Sequence, residues 1–142
     1  MKLEKYSLNE KLTLFRIPKT SLKNFAERLK IDMDLKNIRL IGNPEMQFEK
    51  LAFMAGAPGG QGHIQMLANE EVEVLIAGEA PEWETYLYAN DAVSLEKNKA
   101  VIFLGHIKSE EAGMEYCAEW LRGFIRNIPI IFIENPANYT TY

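Results

Sequence analysis

The chain has 142 residues, 47% of them apolar and 25% charged, a balance that suits one globular domain with a sizeable core and excludes intrinsic disorder. Sixteen basic against twenty acidic residues leave a net charge of −4, so no field attracts phosphate backbones or anionic lipid, and neither nucleic acid nor membrane is an expected partner. Uncharged apolar runs fall far short of the ~20 residues that span a bilayer.

At the N-terminus Lys2, Glu4, Lys5, Glu10 and Lys11 are interleaved with no apolar signal core, which predicts a cytoplasmic protein. The single cysteine, Cys117, permits no internal disulfide. One α/β domain over residues 1–142 is expected, with residues 1–18 and 136–142 peripheral.

Leu12, Leu14 and Ile17 alternate with Thr13 and Arg16 as in a half-buried first strand. After Pro18, Thr20 or Ser21 can cap a helix whose Leu22, Phe25, Ala26 and Leu29 share one face. Ile38, Arg39 and Leu40 then alternate ahead of the turn Gly42-Asn43-Pro44, predicting a short strand near a sheet edge with a second strand close behind.

Leu51 to Ala55 is continuously apolar, the mark of a strand covered on both faces. Ala100 to Leu104 repeats that pattern, and Val72 to Ala77 does so apart from Glu73. Helical segments fall between them, Gln61 to Asn69 and Pro81 to about Lys97, the second with Pro81 at its start and Glu82 and Glu84 in its first turn.

A last helix is predicted from Ser109 as N-cap to about Arg126, with Gly113, Cys117, Trp120, Leu121 and Phe124 as its apolar stripe and Cys117 and Trp120 in the core. Pro129 ends it, and Ile130 to Ile133 can return as a strand before a polar tail. Alternating strands and helices give an α/β fold, a layered sheet with largely parallel central strands and flanking helices.

Ligands in such folds sit beyond the carboxyl ends of the strands. Three loops lie there: one with Gly56, Gly59, Gly60, Gly62 and His63, one with Glu79, and one with His106 and Glu110. In GHIKSE, His106 leaves its strand just after Gly105 and Glu110 comes at the helix start, aiming an imidazole and a carboxylate at one point.

Imidazole with carboxylate is a ligand set for divalent zinc, manganese or iron. Two residues fall short of the three or more such sites use, so from spacing alone a loop histidine beside a glutamate that complements a helix dipole is the plainer reading. Glu79 reads as a general base, as a partner of a metal-held histidine, or as an ordinary loop carboxylate.

GAPGGQGH offers the backbone N–H groups of Gly59, Gly60 and Gly62, with His63, to an anion at a helix start, although it has neither a P-loop ending nor G-x-G-x-x-G spacing. His63 reads as a surface residue or as a ligand or proton-transfer group. No G-x-S-x-G motif occurs, and Cys117 reads as buried, so a side-chain nucleophile is not expected.

NIRLIGNPEMQFEKLAFMAGAPGG, VEVLIAGEAPEWETYLYAND and FLGHIKSEEAGMEYCAEWLRG resemble, in order, the second half of the Nif-three-like dinuclear metal centre family, often labelled GTP cyclohydrolase I type II homologues. The resemblance runs from about Leu14 to Pro136, with G-H-x-x-S-E and then A-E-W-L as its most specific part. It implies α/β halves around paired divalent metals in a ring-shaped hexamer, with His106 and Glu110 matching the family's C-terminal histidine and glutamate ligands and Glu79 matching an acidic turn residue.

The family's N-terminal half, with its adjacent histidines and an aspartate ligand, has no counterpart in these residues, and Trp83 stands where many members have histidine. The resemblance thus implies a divalent-metal-binding domain, a metal-dependent hydrolase by descent, that forms a homo-oligomer or acts with a chain supplying the missing half. The alternative is a non-catalytic assembly module that keeps the fold with an incomplete metal site.

Overall fold

The computed structural model describes residues 4–5, 14–95 and 97–135. The strands are β1 (Glu4–Lys5), β2 (Leu14–Ser21), β3 (Arg39–Ile41), β4 (Gln47–Met54), β5 (Val74–Ala77) and β6 (Ala100–Phe103). The helices are α1 (Leu22–Asp32), α2 (Gly60–Ala68), α3 (Leu87–Ser94) and α4 (His106–Arg122), and a π-helical turn over Glu82–Tyr86 leads into α3. Leu12 and the tail from residue 136 lie outside the described residues.

The strands form one sheet in the order β1-β2-β4-β5-β6-β3. Its centre, β4-β5-β6, is parallel, and β1, β2 and β3 join antiparallel. The predicted layered α/β sheet with parallel central strands is therefore the observed architecture. β3 sits at an edge, as expected; β4 comes within a few residues of it but pairs with β2 and β5, leaving β3 to β6.

Side chains alternate across a strand, and here both faces are covered. Ile17, Leu51, Val74, Ile76 and Ile102 pack with Leu22, Phe25, Ala26 and Leu29 of α1. Leu14, Ala52, Leu75, Ala77 and Val101 pack with Met66 and Leu67 of α2 and Ala89 of α3. Double coverage is why β5 and β6 are apolar at every position, and burying one Leu fully is worth about 1.5–3 kcal/mol.

Leu14 and Ile17, expected in a peripheral segment, lie in these two clusters because β2 is an inner strand of the sheet. Ser21 caps α1 by accepting the Asn24 N–H at 3.2 Å. Phe25 meets Phe48 edge-on with ring centroids 5.2 Å apart. Glu73, the interruption before β5, accepts the N–H groups of Glu49 and Lys50, both at 2.9 Å, which fastens the amino end of β5 to β4.

The C-terminal expectations need correction. α4 begins at His106 with Gly105 as its cap residue at φ +88°, ahead of the predicted Ser109 cap. Only Ser109 and Ala118 of α4 are buried; Trp120 and Phe124 are 59% and 56% exposed, and Cys117 is half-buried. The helix runs off the end of β6, which leaves Trp120 and Phe124 of its stripe uncovered.

Ile130 to Ile133 forms no strand. β1 and β3 hold the two sheet edges, and the segment lies instead along α4, where Arg122 donates to the Ile130 carbonyl at 2.9 Å. None of the described helices is long and apolar enough to cross a membrane.

Candidate functional site

The three parallel strands end on a staircase of backbone hydrogen bonds. Gly78 N–H donates to Met54, Glu79 N–H to Gly56, and Gly105 N–H to Gly78, at 2.8–3.0 Å. A Cβ on Gly78 would stand 2.5 Å from the Gly56 carbonyl oxygen and 2.5 Å from Ser109 Oγ. Only glycine fits a position so closely walled by backbone.

Ser109 locks α4 onto this staircase. Its Oγ accepts the buried Gly56 N–H at 2.9 Å and donates to the His106 carbonyl at 2.7 Å. The residue read from sequence as a helix cap is thus one turn inside the helix, where it ties the start of α4 to the loop after β4.

That tie sets His106 beside Glu79 and Glu110. His106 Nδ1 lies 3.1 Å from Glu79 Oε2, and His106 Nε2 lies 3.1 Å from Glu110 Oε2. The i, i+4 spacing puts His106 and Glu110 on one face of α4. All three side chains are reachable from solvent, at 44% exposure for His106, 62% for Glu79 and 49% for Glu110.

The ring nitrogens point in different directions, so the two carboxylates flank the imidazole and do not converge on one point. With the proton on Nδ1, donated to Glu79, Nε2 keeps a lone pair on the Glu110 side; with both nitrogens protonated, each donates to a carboxylate. Among the described residues no group of three or more His, Cys, Asp or Glu is arranged to hold a metal ion.

The glycine loop behaves differently from its sequence reading. Gly59, Gly60 and Gly62 do open α2, with Gly59 at φ +91°. A Cβ on Gly60 would overlap the Glu84 carboxylate, so the chain's own Glu84 lies against the start of α2. A carboxylate there complements the helix dipole.

His63 is fully buried, which corrects its reading as a surface residue. The period of α2 turns it inward, and its Nδ1 meets Thr85 Oγ1, also buried, at 3.2 Å. Its Nε2 has no hydrogen-bond partner among the described residues. Burial pushes its pKa below the ordinary histidine value, with the Glu84 carboxylate partly opposing. Its hydrogen bond goes to Thr85 on the π-helical turn, so it does not join the carboxylates around His106.

Two openings meet at His106. A groove of about 540 Å³ runs between α4 and the Ile130–Asn135 segment, walled at one end by His106 and Glu110. A cleft of about 430 Å³ lies on the Glu79 side, bounded by Arg39, Phe103, Gly78, Glu79, Gly105 and His106. Sequence reasoning misses Arg39, which reads there only as the polar residue of a short edge strand; it reaches the site because β3 pairs with β6.

Residues 8–138 match the family described as Duf34/NIF3 (NGG1p interacting factor 3). The chain belongs to that family. No curated protein matches it. Among solved structures it is similar to protein SA1388 of Staphylococcus aureus, at TM-score 0.69 and 16% identity over 92% of this chain. It is likewise similar to a Bacillus cereus protein related to NIF3, at TM-score 0.60 and 20% identity over 86% of the chain.

Reduced HcgD from Methanocaldococcus jannaschii also matches, at TM-score 0.60 and 22% identity over 80%. This member of the Duf34/NIF3 family spans 41%, 36% and 42% of the lengths of those three chains. At such identities the likeness is one of fold, and it agrees with the sheet described above.

Proposed function

We propose that this Duf34/NIF3 chain contributes part of a divalent-metal centre, with His106 and Glu110 as ligands and Glu79 as the residue that orients His106. The observation that carries the reading is the pair of 3.1 Å contacts on the two ring nitrogens of His106. Two atoms that share one coordination sphere, with bonds of about 2.0–2.2 Å, sit at about this separation. A carboxylate on the other ring nitrogen is the usual way a ligating histidine is held in one tautomer.

Zinc, manganese and iron all suit this donor set. Two ligands do not close a coordination sphere, so the remaining donors come from another chain, from further residues of the same polypeptide or from solvent. When bound, such an ion polarises a substrate oxygen and acidifies water, which is the chemistry of metal-assisted hydrolysis. Glu79 then fixes the ring, and the Ser109 tie holds the helix that presents both ligands.

The second reading is an assembly module, and the row of exposed aromatic residues on α4 and just beyond it, Tyr116, Trp120 and Phe124, favours it. A homo-oligomer, or a partner carrying the missing half, would use that face. One set of samples separates the two readings. Protein purified without chelator is measured for metal per chain, beside His106→Ala and Glu79→Gln, with oligomeric mass read by light scattering.

Stoichiometric metal that disappears in His106→Ala and weakens about 10–100-fold in Glu79→Gln is the expected outcome of the metal reading. Metal content unchanged by His106→Ala sinks it. An oligomer that persists without metal and in His106→Ala supports the assembly reading.

A further inference from the structure

The cleft on the Glu79 side has a feature that the metal reading leaves unused: a cation held in place at its rim. Arg39, on edge strand β3, stands with its guanidinium 5.4 Å from the Tyr86 ring centroid and 5.9 Å from that of Phe103. Those rings are themselves stacked, 4.1 Å apart and 9° from parallel. A guanidinium packed beside two stacked rings gives up less freedom when it binds something than a lysine free in solvent.

One of its terminal nitrogens bonds Glu82 Oε1 at 2.9 Å. Both members are largely exposed, Arg39 at 67% and Glu82 at 73%, so the pair is worth little and a ligand can compete with it. The planar fork of arginine matches the paired oxygens of a carboxylate or a phosphate.

Two of the residues lining the cleft, Gly78 and Gly105, present bare backbone to it. Gly78 cannot carry a side chain, and at Gly105 the conformation is left-handed, φ +88°, with open space where a Cβ would stand. His106 and Glu79 form part of the wall. The volume, about 430 Å³, is that of a small-molecule pocket. It lies beyond the carboxyl ends of parallel strands, where α/β sheets hold ligands.

We propose that this cleft is the substrate subsite of the His106 centre, and that it takes a small organic oxyanion whose charged group pairs with Arg39. The proposal rests on the metal reading only for what happens to the ligand afterwards; the binding itself is a property of Arg39 and the cleft. An Arg39 that merely fastened β3 to the π-helical turn would contribute to stability and leave anion binding untouched.

The test is a titration of metal-free protein with benzoate, phenyl phosphate and the uncharged benzyl alcohol at fixed ionic strength. It follows the Arg39 Nε–H resonance by NMR and affinity by calorimetry. At least one of the two anions is expected to shift that resonance and bind, with benzyl alcohol at least tenfold weaker. Binding of phenyl phosphate alone assigns a phosphate ester, benzoate alone a carboxylate, and both an unspecialised oxyanion site.

Arg39→Gln should weaken the anion at least about tenfold, the loss of a hydrogen bond to a charged group. Glu82→Gln should tighten it by removing the competitor. No binding by either anion, equal binding of benzyl alcohol, or affinity unchanged in Arg39→Gln would each overturn the proposal. Should Arg39→Gln not fold, Glu82→Gln decides: tighter binding sustains the subsite, and unchanged binding overturns it. Absence of metal from the wild-type protein defeats the centre but not this titration, so the two failures are distinguishable.

Discussion

α1 and α4 carry the same kind of message in sequence and end in opposite circumstances. In α1 the apolar row Leu22, Phe25, Ala26 and Leu29 is buried against β2, β4 and their neighbours. In α4 the row that includes Trp120 and leads to Phe124 faces outward, and only Ser109 and Ala118 are buried. Periodicity states that a helix has an apolar face; whether that face is covered depends on where the helix leaves the sheet. α1 folds back over the sheet face, whereas α4 is anchored by its first turn at the ends of the strands.

The sharpest way to break this contrast is to truncate a side chain at the doubly covered centre. Leu75→Ala should cost about 2–5 kcal/mol in urea unfolding, the range for an apolar core truncation; a cost below about 1 kcal/mol would mean the sheet is not covered on both faces. Next in size is the tie between the strand ends and α4. Ser109→Ala strands the buried Gly56 N–H and should cost about 1–3 kcal/mol, with a change in the His106 ring resonances by NMR.

His63 tests the other side of the sheet through pH. Its pKa is lowered in the folded protein by burial, against the pull of Glu84, so the native ring stays neutral where the unfolded one, near about 6.5, takes up a proton. The unfolded state then binds more protons. Stability is therefore fully present above about pH 6.5 and falls as the pH drops below it, by at most about 1.4 kcal/mol per pH unit for one proton. Urea midpoints across about pH 5–8 should slope less in His63→Gln, and equal slopes would remove His63 as the cause.

The smallest effect is expected on α4. Trp120→Ser should change the stability of the isolated chain by no more than about 0.5 kcal/mol, as for an exposed site. A loss comparable to that of Leu75→Ala would show that the helix packs on something in solution. The pair of variants thereby measures how far the two helices differ.

Much of the fold is legible in the sequence. The face of α1, the cap Ser21, the continuous apolar runs of β4 to β6 and the edge placement of β3 all come from side-chain period and turn chemistry. So does the gathering of Glu79, His106 and Glu110 at one end of the sheet, because parallel strands deliver their loops to the same side. The expectations that the structure overturns concern surfaces and ends: His63 expected exposed, Trp120 expected buried, Ser109 expected at a cap, and Ile130 to Ile133 expected in a strand.

The sequence by itself determined α1, the central strands β4 to β6 and the side on which this protein's chemistry gathers, since these are consequences of the local geometry of the chain. The tertiary structure alone decided that Ser109 bonds Gly56, that Glu84 lies against the start of α2, and that Arg39 reaches the cleft beside His106. Those contacts join residues tens of positions apart. No local pattern encodes them, because they depend on how the layers lie against one another once the core has closed.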